Sequence, residues 1–301
     1  MKIAESDSGK IIRAPCKEYY KYLLHQKDDS PLYMFQSSFN QLTGTADMIK
    51  KYTVPRYFRE DYYGYMSEKR RPPYRWFLIG PKRSGSTLHV DPNFTSAWNT
   101  SLNGHKLWVM FPYDYPIWIA NGKNVRSKNR IVFDDKTNNF IEQGEDTEAI
   151  DYFWHHLKRI KEQEGDLPGI IECIQYPGET IFVPGGWWHA VLNLDDTMAV
   201  TQNFCNEPNF DRVWRSMRVG RKKLTEHFLD VLKKNEPRMY RRALELNRED
   251  KFVFYSKRKK PNFVLDVTTD TFTDSSSSSS STVSSSSEDR KHFPEENDDS
   301  F

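Results

Sequence analysis

Cysteine is scarce in this 301-residue chain: Cys16, Cys173 and Cys205 stand far apart and form no Cys-x-x-Cys pair. A disulfide-stapled scaffold and a cysteine-built zinc knuckle are excluded, and free thiols in a reducing compartment are expected. Long apolar runs are missing as well. Nothing approaches the roughly 18 to 20 apolar residues of a membrane span, and the first twenty residues lack the apolar stretch of a secretory signal. A soluble protein that is not exported, with no membrane partner, is the expectation. No internal repeat is present, so solenoids and propellers are set aside. What is there is a 37% apolar content, enough for one core of ordinary size with smaller attachments.

Charge is unevenly spread. The net charge is only +2, but residues 264–301 hold nine acidic residues against Arg290 and Lys291. The body is therefore mildly basic and the tail acidic. A basic body attracts acidic partners or nucleic acid, and a solvated basic surface explains it equally well.

Texture divides the chain into four parts. Residues 1–27 contain one short amphipathic helix in KEYYKYLLH, ending before Asp28. Residues 28–209 are dominated by short runs rich in β-branched and aromatic residues (RWFLIG, STLHV, HKLWVMF, RIVFD, GIIECIQY, ETIFVP, WWHAVLNL, MAVTQNF) separated by Gly, Pro, Asn and Asp. That is an antiparallel, mainly β pattern. It is interrupted by a connection at 113–124 and a helical patch near 144–162. Residues 210–260 return to helix, with Leu224, Phe228, Val231 and Leu232 on one stripe and Pro237 breaking it. Residues 261–301, with seven serines at 275–281 and four at 284–287, are too polar to offset ordering entropy and are expected to be a disordered, acidic, serine-rich tail.

Chemistry-bearing residues lie in the β region. In His89-Val90-Asp91 residues i and i+2 project to one face, so an imidazole and a carboxylate converge. His-x-Asp alone is a weak signal, since it arises readily by chance. A hundred residues later, Pro184-Gly185-Gly186-Trp187-Trp188-His189 uses two glycines in a tight turn to deliver a histidine to another strand. Two histidines and one carboxylate leave coordination sites open, which suits Fe(II) oxygen chemistry and equally a catalytic zinc. Lys106 shares a strand face with Trp108 and Met110. It either starts the strand in solvent or reaches inward to an anionic ligand. Thr201 and Asn203 share a face of their strand and offer polar groups to such a ligand; a hydrogen-bonded core role is the alternative, and Asn99 is equally ambiguous.

The segments DDSPLYMF, EKRRPPYRWFLIGPKRSGSTLHVDP, TSAWN, GHKLWVMFP and PGETIFVPGGWWHAVLNLDDTMAVTQNF closely resemble the JmjC-domain oxygenase family, the likeness running from about Lys17 to Asn235. The resemblance implies a double-stranded β-helix, a cupin-type barrel, binding Fe(II) and 2-oxoglutarate and consuming O2. It makes His89, Asp91 and His189 the iron ligands and catalytic centre. It places the co-substrate against Lys106, Thr201 and Tyr33, with Asn99 and Asn203 nearby. Ser86 falls where the family pattern has threonine, so the hydroxyl is kept. Lysyl hydroxylation is the implied activity, ahead of methylarginine demethylation. Implied partners are nuclear proteins, Arg-Ser-rich splicing factors and histones among them, with RNA as an alternative substrate and a homo-oligomer built through the C-terminal helices.

A catalytically weak RNA- or protein-binding scaffold is the rival reading. Family members carry helices and strands ahead of the point where this chain begins, and their absence is expected to leave apolar sheet surface exposed. Lys257-Arg258-Lys259-Lys260 reads as a nuclear-import signal; Lys69-Arg70-Arg71 and Arg221-Lys222-Lys223 are basic runs that suit RNA or peptide, or simply solvent.

Overall fold

A computed structural model describes residues 2–4, 11–37, 39–120, 131–134, 139–142, 148–165 and 169–253. The serine-rich tail and the basic run at 257–260 lie outside the described residues. In chain order the strands and helices are β1 (Lys2–Ala4), β2 (Ile11–Arg13), α1 (Cys16–His25), β3 (Tyr33–Gln36), β4 (Arg75–Gly80), β5 (Gly85–His89), β6 (Ser96–Asn103) and β7 (Lys106–Phe111). Then come α2 (Ile117–Ala120), β8 (Ile131–Asp134), β9 (Asn139–Glu142), α3 (Ala149–Asp151) and, after a π-helical turn at Tyr152–His156, α4 (Leu157–Glu164). The series closes with β10 (Ile171–Gln175), β11 (Thr180–Val183), β12 (Trp188–Asn193), β13 (Thr197–Phe204), α5 (Phe210–Gly220), α6 (Lys222–Asn235) and α7 (Pro237–Glu249).

Two antiparallel sheets form the barrel. One has seven strands in the order β11-β6-β13-β4-β3-β1-β2, the other four in the order β10-β7-β12-β5. This is a mainly β, two-sheet arrangement with flanking helices, as the family resemblance implies. β7 shows why the sheets close on each other. Lys106, Trp108 and Met110 are buried toward the barrel interior, while Val109 and Phe111 are buried on the other side against Tyr152, Phe153 and Leu157. A strand covered on both faces reads as a nearly continuous apolar run, and the lone lysine stands out within it.

Three features depart from the sequence reading. Residues before α1 form strands: β1 pairs with β3 through Ile3 opposite Met34 and Ala4 opposite Tyr33, so the edge of β3 is covered instead of bare. β6 lies inside the larger sheet between β11 and β13, yet its sequence SAWNTSLN is too polar for a strand by composition. The C-terminal appendage has three helices, because the chain also breaks at Gly220–Arg221. Phe228 and Leu232 are fully buried with Phe210, Trp214 and Leu246, and Leu224 and Val231 pack beside them. At roughly 1.5–3 kcal/mol per large apolar side chain, this cluster holds the helices to Tyr62, Tyr63 and Met66 ahead of the barrel. Pro237 sits in the first turn of α7, where its missing N–H costs nothing.

Candidate active site

β5 ends on His89, Asp91 follows as the cap of a short turn at Pro92–Phe94, and His189 is the second residue of β12. β5 and β12 are neighbours, and His189 pairs directly with His89. One residue further the register shifts, a bulge of the kind that re-aims side chains at sites. The Pro184–Trp187 turn that delivers His189 requires its glycines. A Cβ on Gly185 would lie 2.5 Å from the Phe94 carbonyl oxygen, and Gly186 has φ +83° with the Phe94 ring 2.8 Å from where its Cβ would be.

The ligand atoms of His89, Asp91 and His189 all lie within 4.8 Å of one another. The imidazole centroids are 4.2 Å apart. His89 Nδ1 is 2.7 Å from the Thr87 carbonyl oxygen and His189 Nδ1 is 3.1 Å from that of Trp187. A carbonyl only accepts, so both Nδ1 atoms carry a proton, and Nε2 is the ring nitrogen of each that can take a metal. Asp91 Oδ2 is buried without a hydrogen-bond partner. Burial, reinforced by His89, pulls the His189 pKa down to about 4 against the opposing pull of Asp91, so the ring is neutral at pH 7. Two oriented imidazole lone pairs and an orphan carboxylate oxygen fit a divalent cation with three protein ligands, the tautomers fixed by the backbone.

A cavity of about 430 Å³ opens beside the triad. Tyr33, Ser86, Asn99, Thr201 and Asn203 all line it. Thr201 and Asn99 are register partners across β13 and β6, which brings two residues a hundred positions apart to one wall. Thr201 donates its hydroxyl proton to the Trp98 carbonyl oxygen at 2.7 Å, which leaves the oxygen lone pairs as acceptors. Asn203 Nδ2 donates to Thr95 Oγ1 at 2.9 Å, and Asn99 Oδ1 is buried with no partner.

Lys106 is wholly buried, so of its two sequence readings the solvent one is the wrong one. Its Nζ donates to Asn193 Oδ1 at 2.7 Å and, more weakly, to Tyr33 Oη and Thr197 Oγ1 at 3.4 Å each. Burial lowers its pKa to about 7, with the field of Asp195 working the other way. Four polar residues here escaped sequence reasoning: Asn193, Ser84, Thr197 and Gln175. Gln175 Oε1 accepts from Trp108 Nε1 at 2.9 Å while its Nε2 donates to the Asn99 carbonyl oxygen at 2.8 Å. For Asn193 a signal existed, since strand alternation puts it on the face of His189 and Val191. For Thr197 the same signal existed, since it alternates with Thr201 and Asn203 along β13.

A barrel of this topology holding this triad is a JmjC-type cupin domain. Residues 76–204 match the family model described as JmjC domain, hydroxylase. Among named relatives, the chain is 40% identical over 239 residues to the bifunctional arginine demethylase and lysyl-hydroxylase psr-1 of Caenorhabditis elegans, covering 79% of this chain and 56% of that one. It is 42% identical over 204 residues to the lysine-specific demethylase JMJ21 of Arabidopsis thaliana, covering 68% of this chain and 20% of the relative. With the 2-oxoglutarate and iron-dependent oxygenase JMJD4 of Mus musculus it shares 31% identity over 169 residues, 56% of this chain and 35% of that one. The chain spans about half the length of the first of these and less of the others. Among the described residues no helix is long and apolar enough to cross a membrane.

Proposed function

We propose that this protein is an Fe(II)- and 2-oxoglutarate-dependent oxygenase that hydroxylates lysine side chains of proteins, with methylarginine demethylation as a second outcome of the same chemistry. The observation that carries the reading is the joint presence of an oriented His89–Asp91–His189 triad and a buried ammonium, bonded to the cavity-lining Tyr33 and to Asn193, with no carboxylate partner among the described residues. When bound, Fe(II) and 2-oxoglutarate supply the oxidation: O2 is consumed, the co-substrate becomes succinate and CO2, and a substrate C–H bond gains oxygen.

The chain's own residues do the rest. His89, Asp91 and His189 would hold the metal. Lys106 holds the remote carboxylate of the co-substrate by a charge-assisted hydrogen bond. Trp108 and Val191, buried at the cavity wall, keep bulk water from the reacting centre. The relatives' printed names, which join lysyl hydroxylation to arginine demethylation, support a protein substrate. Nuclear residence and substrates such as Arg-Ser-rich splicing factors and histones belong to the same proposal, and the basic run at Lys257–Lys260 suits nuclear import.

The test is succinate formation by purified protein with Fe(II), 2-oxoglutarate and a lysine-containing Arg-Ser-rich peptide, with mass spectrometry of the peptide and His189→Ala alongside. Succinate matched by one added oxygen on lysine, both lost in the variant, is the expected result. A folded, iron-loaded protein that makes neither would overturn the reading in favour of a binding scaffold. The same oxygen gained by an RNA oligonucleotide instead would leave the oxygenase and replace the substrate.

A further inference from the structure

The surroundings of Lys106 contain a chain of hydrogen bonds whose direction is determined at every link. Ser84 Oγ donates to the Pro81 carbonyl oxygen at 2.6 Å, so its only proton is committed. Towards Asn193, 2.8 Å away, the same oxygen therefore accepts, and the Asn193 atom facing it is the Nδ2 donor. That leaves Asn193 Oδ1 facing Lys106 Nζ at 2.7 Å, and an ammonium can only donate. Both ends thus assign the same amide orientation. Asn193 is 1% exposed and Ser84 2% exposed, and an ideal Cβ built on Gly80 would lie 2.3 Å from Ser84 Oγ and 2.7 Å from Asn193 Nδ2, so the relay is packed tightly in place.

We infer that Asn193, oriented by Ser84, is a positioning residue that aims the Lys106 ammonium at the remote carboxylate of the co-substrate while leaving its charge uncompensated. A neutral acceptor is what this task needs. It holds Nζ in place through one of three N–H bonds and leaves the others for an incoming anion; Tyr33 and Thr197, at 3.4 Å, are weak partners that an anion displaces. A carboxylate at the same place would pair the cation within the fold and compete with the ligand. The lowered pKa of Lys106 agrees with a cation that lacks a direct counter-ion. The inference rests on the 2-oxoglutarate reading given above and adds to it the residue that sets how strongly the site prefers a dianionic co-substrate.

The test is equilibrium binding, by quenching of tryptophan fluorescence in the full chain loaded with Mn(II), of 2-oxoglutarate and of 2-oxopentanoate, which lacks the remote carboxylate. The wild-type chain is expected to prefer 2-oxoglutarate strongly. Asn193→Asp should weaken 2-oxoglutarate by about tenfold or more and leave 2-oxopentanoate unchanged. Ser84→Ala frees the amide to rotate and should reproduce the pattern at about three- to fivefold; it serves as the second variant if Asn193→Asp does not fold by thermal melting. Variants that bind both ligands as the wild type does, or lose both equally, overturn the positioning role while the wild-type preference stands. A wild-type chain with no preference overturns the co-substrate reading itself.

Discussion

His89 and His189 are direct partners across β5 and β12, their rings 4.2 Å apart and each turned by a hydrogen bond to the carbonyl two residues before it. The backbone of two paired strands thereby sets the metal-binding tautomer of both rings before any metal arrives. With Asp91 Oδ2 buried and unpartnered, the triad is preorganised at the cost of one unsatisfied carboxylate oxygen. His189→Ala should cut Mn(II) affinity by about 100-fold or more while the apo chain melts within a few degrees of wild type, because a neutral, buried imidazole is lost and no ion pair is broken. Metal titration by calorimetry beside a thermal melt checks both halves.

Lys106 carries an opposite trade between stability and binding. Its ammonium is buried with neutral acceptors only, so Lys106→Met should stabilise the ligand-free chain by about 1–3 kcal/mol and abolish measurable 2-oxoglutarate affinity. Denaturant unfolding with and without 2-oxoglutarate is the measurement. A destabilised, co-substrate-binding variant would contradict the assignment.

The same lysine gives a pH dependence of defined sign. With its folded pKa lowered to about 7, it is an ammonium below that pH and an amine above it. Only the ammonium pairs with a carboxylate, so 2-oxoglutarate affinity should be flat below pH 7 and fall by up to about tenfold per unit above it. Stability of the ligand-free chain runs the other way for this group: the unfolded lysine holds its proton up to about 10.5, so its contribution rises with pH from about 7. A 2-oxopentanoate control should show no such fall in affinity.

Gly186→Ala should disturb the metal site from outside it. Its φ of +83° and the Phe94 ring 2.8 Å from the new Cβ force the turn to move, costing about 1–3 kcal/mol and shifting His189, three residues on. Melting temperature and Mn(II) affinity should fall together. A drop in melting temperature alone would show that the turn supports the fold without aiming the ligand.

Alternation of apolar residues was sufficient to place most barrel strands, and a histidine after a Pro-Gly-Gly turn was sufficient to suggest a third ligand, because both signals are local. β6 was not legible, since its polar residues Ser96, Asn99 and Ser101 are buried by segments distant in the chain: β11 and β13 alongside, with Gln175, Gly185 and Asn209 bonded to Asn99 and Ser96. β1 and β2 were too short to register and owe their pairing to β3.

The sequence by itself determined the repertoire of this protein: an antiparallel β region with helical appendages, an i, i+2 imidazole and carboxylate, a distant histidine, and a lysine in an apolar strand. Only the tertiary structure decided that His89 and His189 are neighbours, that Lys106 points inward, and that Ser84 and Asn193 hold it. Those facts depend on strand order and register, which hydrogen bonds between segments a hundred residues apart establish and which no local pattern encodes.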